Sequence, residues 1–224
     1  MGADRKLGTG APAEAASGVV TLLVDPSLPE RAILERAWSV LLRGRLLIFR
    51  TDTLYALGGL FGRPGVAEAV RAAKGREEGH PLPLIARDRA QAAGLCTHFP
   101  EIAGRLADAF WPGPLTLVLP ARPDVGALGA TVAVRVPALA LARELCRDGA
   151  LISTSANLTG EPPPMTCREA VAAVGSAAEL ALDGGGGTPA PSTIVDVSGP
   201  EPRELRSGAI SWDLVQKVLR AGGS

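Results

Sequence analysis

Four short segments of the sequence combine hydroxyl, amide or basic side chains with glycine or proline, and each follows a predicted strand or helix. They are residues 51–59, 74–81, 153–157 and 184–188. In open α/β sheets, ligand sites concentrate in loops at strand ends. Their placement makes these four segments the candidates for a ligand site.

Two of the segments are rich in hydroxyl groups. In the first, Thr51, Thr53 and Tyr55 could hold a small polar ligand, and the glycines after them allow a close backbone approach. Residues 153–157 read Ser-Thr-Ser-Ala-Asn and form a dense group of donors and acceptors after an apolar run. Both segments also fit a turn or a helix cap whose side chains bond their own backbone, and that alternative stays open.

The other two segments suggest phosphate binding. Lys74 and Arg76 stand two apart in a loop and can point at one polyphosphate, although taken alone they fit a solvated charge run with Glu77 and Glu78 better. The glycine run 184–187 looks like a phosphate loop but lacks both G-K-[ST] and G-x-G-x-x-G. Neither segment identifies a nucleotide site by itself.

Nucleophilic catalysis is not indicated. Residues 153–157 lack the G-x-S-x-G frame of a nucleophile elbow, and neither His80 nor His98 has an obvious serine partner. The three cysteines are sparse and form no C-x-x-C pair, which argues against a disulfide framework and a structural zinc site.

The composition argues against several classes of protein, namely nucleic-acid binders, membrane-spanning proteins and secreted proteins. Lys plus Arg and Asp plus Glu both number 23, so the formal net charge is zero, whereas nucleic-acid binders usually carry a basic surplus. No apolar run approaches the ~20 residues that span a bilayer, and the first residues lack the apolar core of a secretory signal. We expect a soluble cytoplasmic protein with a flexible arm at residues 1–17 and one domain at residues 18–224.

Strands and helices alternate loosely along the chain, with several short loops between strands. This pattern predicts an α/β domain with a twisted, mixed parallel and antiparallel sheet flanked by helices. Strands are predicted at residues 19–24, 46–49, 82–86, 115–119, 131–136, 150–153, 180–183, 193–197 and 202–205. Helices are predicted from residue 29 to the glycine at 44 and at residues 64–74, 100–111, 138–147, 167–174 and 210–220.

Seven segments, in order, resemble the YrdC/TsaC-like family of threonylcarbamoyl-AMP synthases in its short, single-domain form. They are TDTLYALGG (51–59), KGREEGHPL (74–82), FWPGPLTLVL (110–119), VAVRVP (132–137), STSANLTGEPP (153–163), DGGGGTPAPSTIVD (183–196) and ELRSGAI (204–210). The resemblance implies a YrdC-like domain with a central concave ligand cavity.

The resemblance also implies residue roles. Catalytic roles fall to Lys74, Arg76, Ser155 and Asn157. ATP binding is implied for Lys74, Arg76, His80, Thr116, Ser155 and Arg206. Threonine binding is implied for Thr53, Tyr55, Arg135, Ser153 and Ser192, with Arg135 on the carboxylate, because a guanidinium suits a bidentate contact.

The implied reaction joins L-threonine, bicarbonate and ATP into threonylcarbamoyl-AMP and pyrophosphate, for t6A37 modification of tRNA. Mg²⁺ is expected to come with ATP, and no protein-bound metal site is predicted. The expected partners are a downstream tRNA-modifying threonylcarbamoyl transferase and a weak tRNA or RNA contact, with no membrane. Such chemistry needs alignment of anionic reactants and cations over the phosphates rather than a protein nucleophile.

Some positions depart from the family pattern. Arg50 stands where proline is usual, Ala56 where glycine is usual, His80 where asparagine is frequent, and Ile85 where some relatives have a histidine that reaches the amino acid. Pro163 replaces a position that is sometimes polar. Two alternatives therefore stay open: a carbamoyl-adenylate enzyme that uses a different acceptor, and an RNA-binding module.

Overall fold

The computed structural model describes residues 18–75, 82–125, 129–188 and 190–221. Its strands are β1 Val20–Leu23, β2 Leu46–Arg50, β3 Tyr55–Leu60, β4 Leu84–Ile85, β5 Leu115–Pro120, β6 Thr131–Arg135, β7 Leu151–Ser155, β8 Ala178–Asp183, β9 Thr193–Asp196 and β10 Arg203–Arg206. Its helices are α1 Arg31–Leu42, α2 Val66–Lys74, α3 Arg89–Ala93, α4 Glu101–Phe110, α5 Ala140–Leu145, α6 Cys167–Val174 and α7 Trp212–Arg220, and a 3₁₀ turn, Gly175–Ala177, follows α6.

All ten strands form one sheet in the order β1-β8-β2-β3-β7-β4-β6-β5-β9-β10. The pairs β1–β8, β2–β8, β4–β6 and β5–β9 are parallel, and the remaining neighbours are antiparallel. The predicted mixed sheet is therefore confirmed. None of the helices in the described ranges is long and apolar enough to cross a membrane.

Local sequence explains where the helices begin and end. In α1 the residues Leu34, Ala37, Trp38 and Leu41 recur at helical spacing and are buried on one face. The helix is followed by Gly44, whose φ of +72° is the left-handed conformation that favours glycine after a helix.

Helices pack against both faces of the sheet, and on one of these faces they cover only part of it. On the first face, α2, α4, α6 and α7 contribute buried apolar side chains to one core. On the second face, α1 and α5 form a smaller core against the half of the sheet that contains β8, β2, β3 and β7. The half around β6, β5 and β9 is open on that face, and a concave surface lies there.

Side chains alternate along β5, so that one strand contributes both to the core on the first face and to the cavity on the second. Leu115, Leu117 and Leu119 enter the first core, whereas Thr116 and Val118 between them line the open side. Ile85 in β4 belongs to the second core and also lines the cavity, so it marks the boundary between the two. The cavity is thus the uncovered continuation of a helix-covered sheet face.

Two local expectations were wrong, and one helix was missed. Residues 51–59 were expected to form a loop, but β3 begins at Tyr55, because Gly58 and Gly59 allow a strand to pass close to its neighbours. A Cβ at Gly58 would lie 2.1 Å from the carbonyl oxygen of Ile152 in β7. Strand β7 continues through Ser155, so its hydroxyl groups lie within a strand rather than after one. Helix α3 was not predicted.

Candidate functional site

The open half of the sheet face forms a cavity of about 440 Å³. This volume is within the range of roughly 300–1,000 Å³ that is typical of small-molecule sites. Among the described residues no aspartate or glutamate lines it. Eight of the residues predicted for the site do line it: Thr53, Tyr55, Thr116, Arg135, Ser153, Ser155, Ser192 and Arg206.

Strand pairing brings these residues together from distant parts of the sequence. Arg135 at the end of β6 is paired with Ile85 of β4. Ile194 of β9 is paired with Thr116 of β5 on one side and with Arg206 of β10 on the other. Since neighbouring strands lie about 4.8 Å apart, long arginine side chains from β6 and β10 can reach the same space.

Arg135 is held beneath the turn between β2 and β3. Its side chain is 7% exposed, its Nη1 donates to Oγ1 of Thr53 at 3.1 Å, and its Nη2 lies 3.4 Å from Oδ1 of Asp52. Burial lowers the pKa of Arg135, and the negative charge of Asp52 opposes this shift. The guanidinium nevertheless remains charged at physiological pH, because arginine is effectively always protonated in proteins.

Arg206 is held by Ser192 at the other side of the cavity. Its Nε and Nη2 donate to the backbone carbonyl of Ser192 at 3.1 and 2.8 Å, and Nη2 also donates to Oγ of Ser192 at 2.9 Å. That hydroxyl lies 2.8 Å from Oγ1 of Thr116. The turn after Arg206 packs closely here, because a Cβ at Gly208 would lie 2.5 Å from the backbone of Ser192.

The two arginines influence each other electrostatically. The pKa of Arg206 is lowered first by burial and then by the positive charge of Arg135. Two guanidinium groups that share a hydroxyl-lined cavity, with no acidic side chain among its described lining residues, favour anionic ligands. Carboxylates and phosphates both have the geometry that a guanidinium can bind through two parallel hydrogen bonds.

Tyr55 anchors the glycine run. Its hydroxyl lies 2.6 Å from the carbonyl oxygen of Gly185 and 3.1 Å from Oδ1 of Asp183, and it accepts the backbone N–H of Gly184 at 3.1 Å. The N–H of Gly187 donates to the carbonyl of Met165. Because these backbone donors are used within the protein, the run is not a free phosphate-binding loop.

Lys74 lies outside the cavity lining, beside the end of β7. The side chain is 1% exposed, and its ammonium donates to the carbonyl oxygen of Ser155 at 2.6 Å, to Oδ1 of Asn157 at 3.0 Å and to the backbone carbonyl of Asn157. The Oγ of Ser155, which does line the cavity, is 3.5 Å from the ammonium. Lys74 and Asn157 therefore adjoin the cavity through Ser155, and their predicted catalytic roles stay predictions.

Two of the predicted site residues, Arg76 and His80, lie outside the described residues, as does the arm predicted at residues 1–17. Over the described ranges, no group of three or more His, Cys, Asp or Glu side chains could hold a metal ion. Asp52, which contacts Arg135, was not singled out from the sequence, because nothing in the sequence pairs it with an arginine so far along the chain.

The chain is similar to proteins of known family. Residues 39–208 match the family of Sua5, YciO and YrdC proteins, whose description is "Telomere recombination". The threonylcarbamoyl-AMP synthase of Chromohalobacter salexigens is 38% identical over 179 residues, which cover 74% of this chain and 92% of that protein. The threonylcarbamoyl-AMP synthase of Bacillus subtilis is 32% identical over 203 residues, covering 87% of this chain and 57% of that protein.

Solved structures of proteins from the same family are also similar to this chain. The crystal structure of Pyrococcus abyssi Sua5 complexed with L-threonine has a TM-score of 0.83 and 31% identity, and the match covers 90% of this chain and 61% of that one. Escherichia coli YciO has a TM-score of 0.80 over 86% of this chain and 97% of that one. At 23% identity, the second likeness shows the fold alone.

Proposed function

This chain belongs to the Sua5, YciO and YrdC family, and from that premise we propose that it is an L-threonylcarbamoyladenylate synthase. The enzyme joins L-threonine, bicarbonate and ATP into threonylcarbamoyl-AMP and pyrophosphate. One observation carries the proposal: Arg135 and Arg206 share one cavity that no described acidic side chain lines. An enzyme that binds an amino-acid carboxylate beside a triphosphate needs two such cations within reach of each other.

The threonine end of the site is assigned to Arg135. A carboxylate that approaches from the cavity can take hydrogen bonds from its guanidinium, which is already held by Thr53. Ser153 lines the cavity on β7, which is separated from the strand of Arg135 by β4, and offers a hydroxyl to the amino-acid side chain or amine. In this proposal Thr53 and Ser153 have the threonine-binding roles that the resemblance implied for them.

The ATP end is assigned to Arg206 with Ser192, Thr116 and Ser155. The guanidinium of Arg206 is fixed by three hydrogen bonds to Ser192, so it meets a phosphate without further ordering. Thr116 and Ser155 add hydroxyl groups on the cavity surface. In this assignment Ser192, predicted as a threonine contact, instead serves mainly as the support of Arg206.

The chemistry requires two bond-forming steps. The amine of threonine bonds to the carbon of bicarbonate and water leaves, which gives a carbamate. A carbamate oxygen then bonds to the α-phosphorus of ATP, and the bond from that phosphorus to the bridging oxygen breaks to release pyrophosphate. The protein contributes alignment and positive charge, and a recessed cavity limits hydrolysis of the unstable carbamate.

Mg²⁺ is proposed to enter with ATP. The described residues contain no cluster suited to a dedicated metal cage, and Mg²⁺ is commonly bound through phosphates and water with only one or two carboxylates. Lys74, through its contact with Ser155, is proposed to add positive charge behind the phosphates. We further propose that the product passes to a tRNA-modifying transferase in the cytoplasm.

The test is pyrophosphate release by the purified protein with L-threonine, bicarbonate, ATP and Mg²⁺. We expect release that stops when any one substrate is omitted, together with a product whose mass increases by one unit when ¹³C-bicarbonate is supplied. Absence of the labelled adenylate with all substrates present would refute the proposed function.

One observation favours a second candidate, an enzyme that carbamoylates a different amine. Ile85 lines the cavity beside Arg135, its partner across the β4–β6 pair, and it presents hydrocarbon to the amino-acid end. An apolar wall does not provide a hydrogen bond to the threonine hydroxyl. Replacing threonine with other amino acids in the same assay separates the two candidates, because this second enzyme would prefer another acceptor.

A further inference from the structure

Asp52 is a buried carboxylate to which the proposed chemistry assigns no task. Its side chain is 12% exposed, and among the described residues neither of its buried oxygens accepts a hydrogen bond. The nearest cation is Arg135, whose Nη2 lies 3.4 Å from Oδ1 of Asp52. Burying a carboxylate that accepts no hydrogen bonds costs free energy of folding. A function in the site would explain why Asp52 is buried here.

The backbone that carries Asp52 is fixed independently of Arg135. The hydroxyl of Thr188 donates to the carbonyl oxygens of Asp52 and Thr53 at 3.2 and 3.0 Å, and the N–H of Thr188 donates to the carbonyl of Thr53 at 2.8 Å. Oγ1 of Thr51 accepts the N–H groups of Thr53 and Leu54. The carboxylate of Asp52 is therefore presented to Arg135 from a turn that is already ordered.

Arg135 requires such a fixed partner. Its guanidinium is buried, and it shares the cavity with the positively charged guanidinium of Arg206. Repulsion between the two cations would push the Arg135 side chain away from the cavity, and a single hydrogen bond from Nη1 to Thr53 leaves the planar guanidinium able to turn about that bond. A negative charge behind Nη2 opposes both movements.

We propose that Asp52 is a positioning residue that holds the guanidinium of Arg135 in the orientation that receives the carboxylate of the amino-acid substrate. The inference rests on the proposed function, since it assumes that Arg135 meets that carboxylate. Asp52 does not line the cavity and acts only through Arg135. It therefore governs amino-acid affinity, whereas ATP affinity depends on Arg206.

The test compares Asp52→Asn with Asp196→Asn. Asparagine keeps the shape of Asp52 and removes its charge, and we expect the KM for L-threonine to rise roughly tenfold while the KM for ATP stays within about twofold. Asp196 is a matched control, because it is also buried and is paired with Arg203 at 2.7 Å but does not line the cavity. Asp196→Asn should leave the ratio of the two KM values unchanged.

Two further measurements keep the proposal refutable if Asp52→Asn is poorly folded. Asp52→Glu keeps the negative charge on a side chain that is one methylene longer, and it should recover part of the affinity for threonine that Asp52→Asn loses. Calorimetric titration of the wild type and the variants with L-threonine alone reports binding without turnover. An Asp52→Asn protein whose threonine KM is unchanged or lower, or whose two KM values rise equally, would overturn the inference. A wild-type protein that makes no adenylate would instead refute the proposed function.

Discussion

Replacing Tyr55 with phenylalanine would test whether the glycine run is anchored as the structure indicates. The change removes one oxygen atom from a fully buried side chain and keeps the ring. That oxygen accepts the N–H of Gly184 and lies within hydrogen-bond distance of Gly185 and Asp183. Burial, followed by the charge of Asp183, raises the pKa of Tyr55, so the phenol remains a protonated donor at physiological pH.

The size of the effect follows from which groups lose a partner. The N–H of Gly184 is buried and would have no acceptor, whereas Oδ1 of Asp183 would still accept the N–H of Gly185. A buried polar group without a partner costs about 1–3 kcal/mol, so we expect the free energy of unfolding to fall by about 2 kcal/mol. For a chain of this length, such a loss lowers the Tm by roughly 4–8 °C.

Thermal and urea unfolding, followed by circular dichroism, would measure this change. Thr97→Val is a suitable control, because it removes an exposed hydroxyl whose one hydrogen-bond contact with the described residues is a weak one, to His98 at 3.4 Å. A Tm for Tyr55→Phe within about 1 °C of the wild type would refute the anchoring role. If stability were unchanged while the KM for threonine rose, the phenol would instead be a ligand contact, as the sequence resemblance suggested.

Three further outcomes are expected. Arg206→Met keeps the hydrocarbon stem but removes the cation, and it should lower kcat/KM for ATP roughly 10²-fold in the pyrophosphate assay, whereas Arg122→Met at an exposed ion pair should not. Gly58→Ala should destabilise the protein by about 3 kcal/mol, because its Cβ would collide with the backbone of Ile152, while Gly199→Ala has open space and should be neutral in urea unfolding. EDTA should abolish pyrophosphate release by removing the Mg²⁺ that comes with ATP. It should leave the Tm unchanged, since the described residues contain no cluster of metal ligands. A lower Tm in EDTA would reveal a structural metal ion.

Much of the fold could be predicted, because helix caps and the spacing of apolar residues in the sequence coincide with the elements that pack in the structure. Helix α6 lies at Cys167–Val174, as predicted, where a capping box of Thr166 and Glu169 coincides with helical spacing of apolar residues. Strand β3 was missed because its glycines resemble a loop, and their reason is the close approach of β7, which is a tertiary contact. Sequence periodicity carries no information about such contacts.

Eight of the residues named from the resemblance line the cavity, but their contacts with neighbouring side chains could not be predicted. Arg135 and Arg206 lie in strands that are not neighbours, and the resemblance named both for one ligand cavity that the sheet order then explains. The burial of Lys74 against Ser155 and the contact of Asp52 with Arg135 depend on how the end of α2 and the turn between β2 and β3 pack against the sheet. No local pattern in the sequence encodes this packing.

We propose that one cavity holds a carboxylate on Arg135 and a triphosphate on Arg206. A crystal structure with L-threonine and a non-hydrolysable ATP analogue would show this arrangement. We expect the threonine carboxylate within hydrogen-bond distance of Arg135 and phosphate oxygens within hydrogen-bond distance of Arg206. Either ligand bound outside this cavity, or a triphosphate on Arg135, would contradict it.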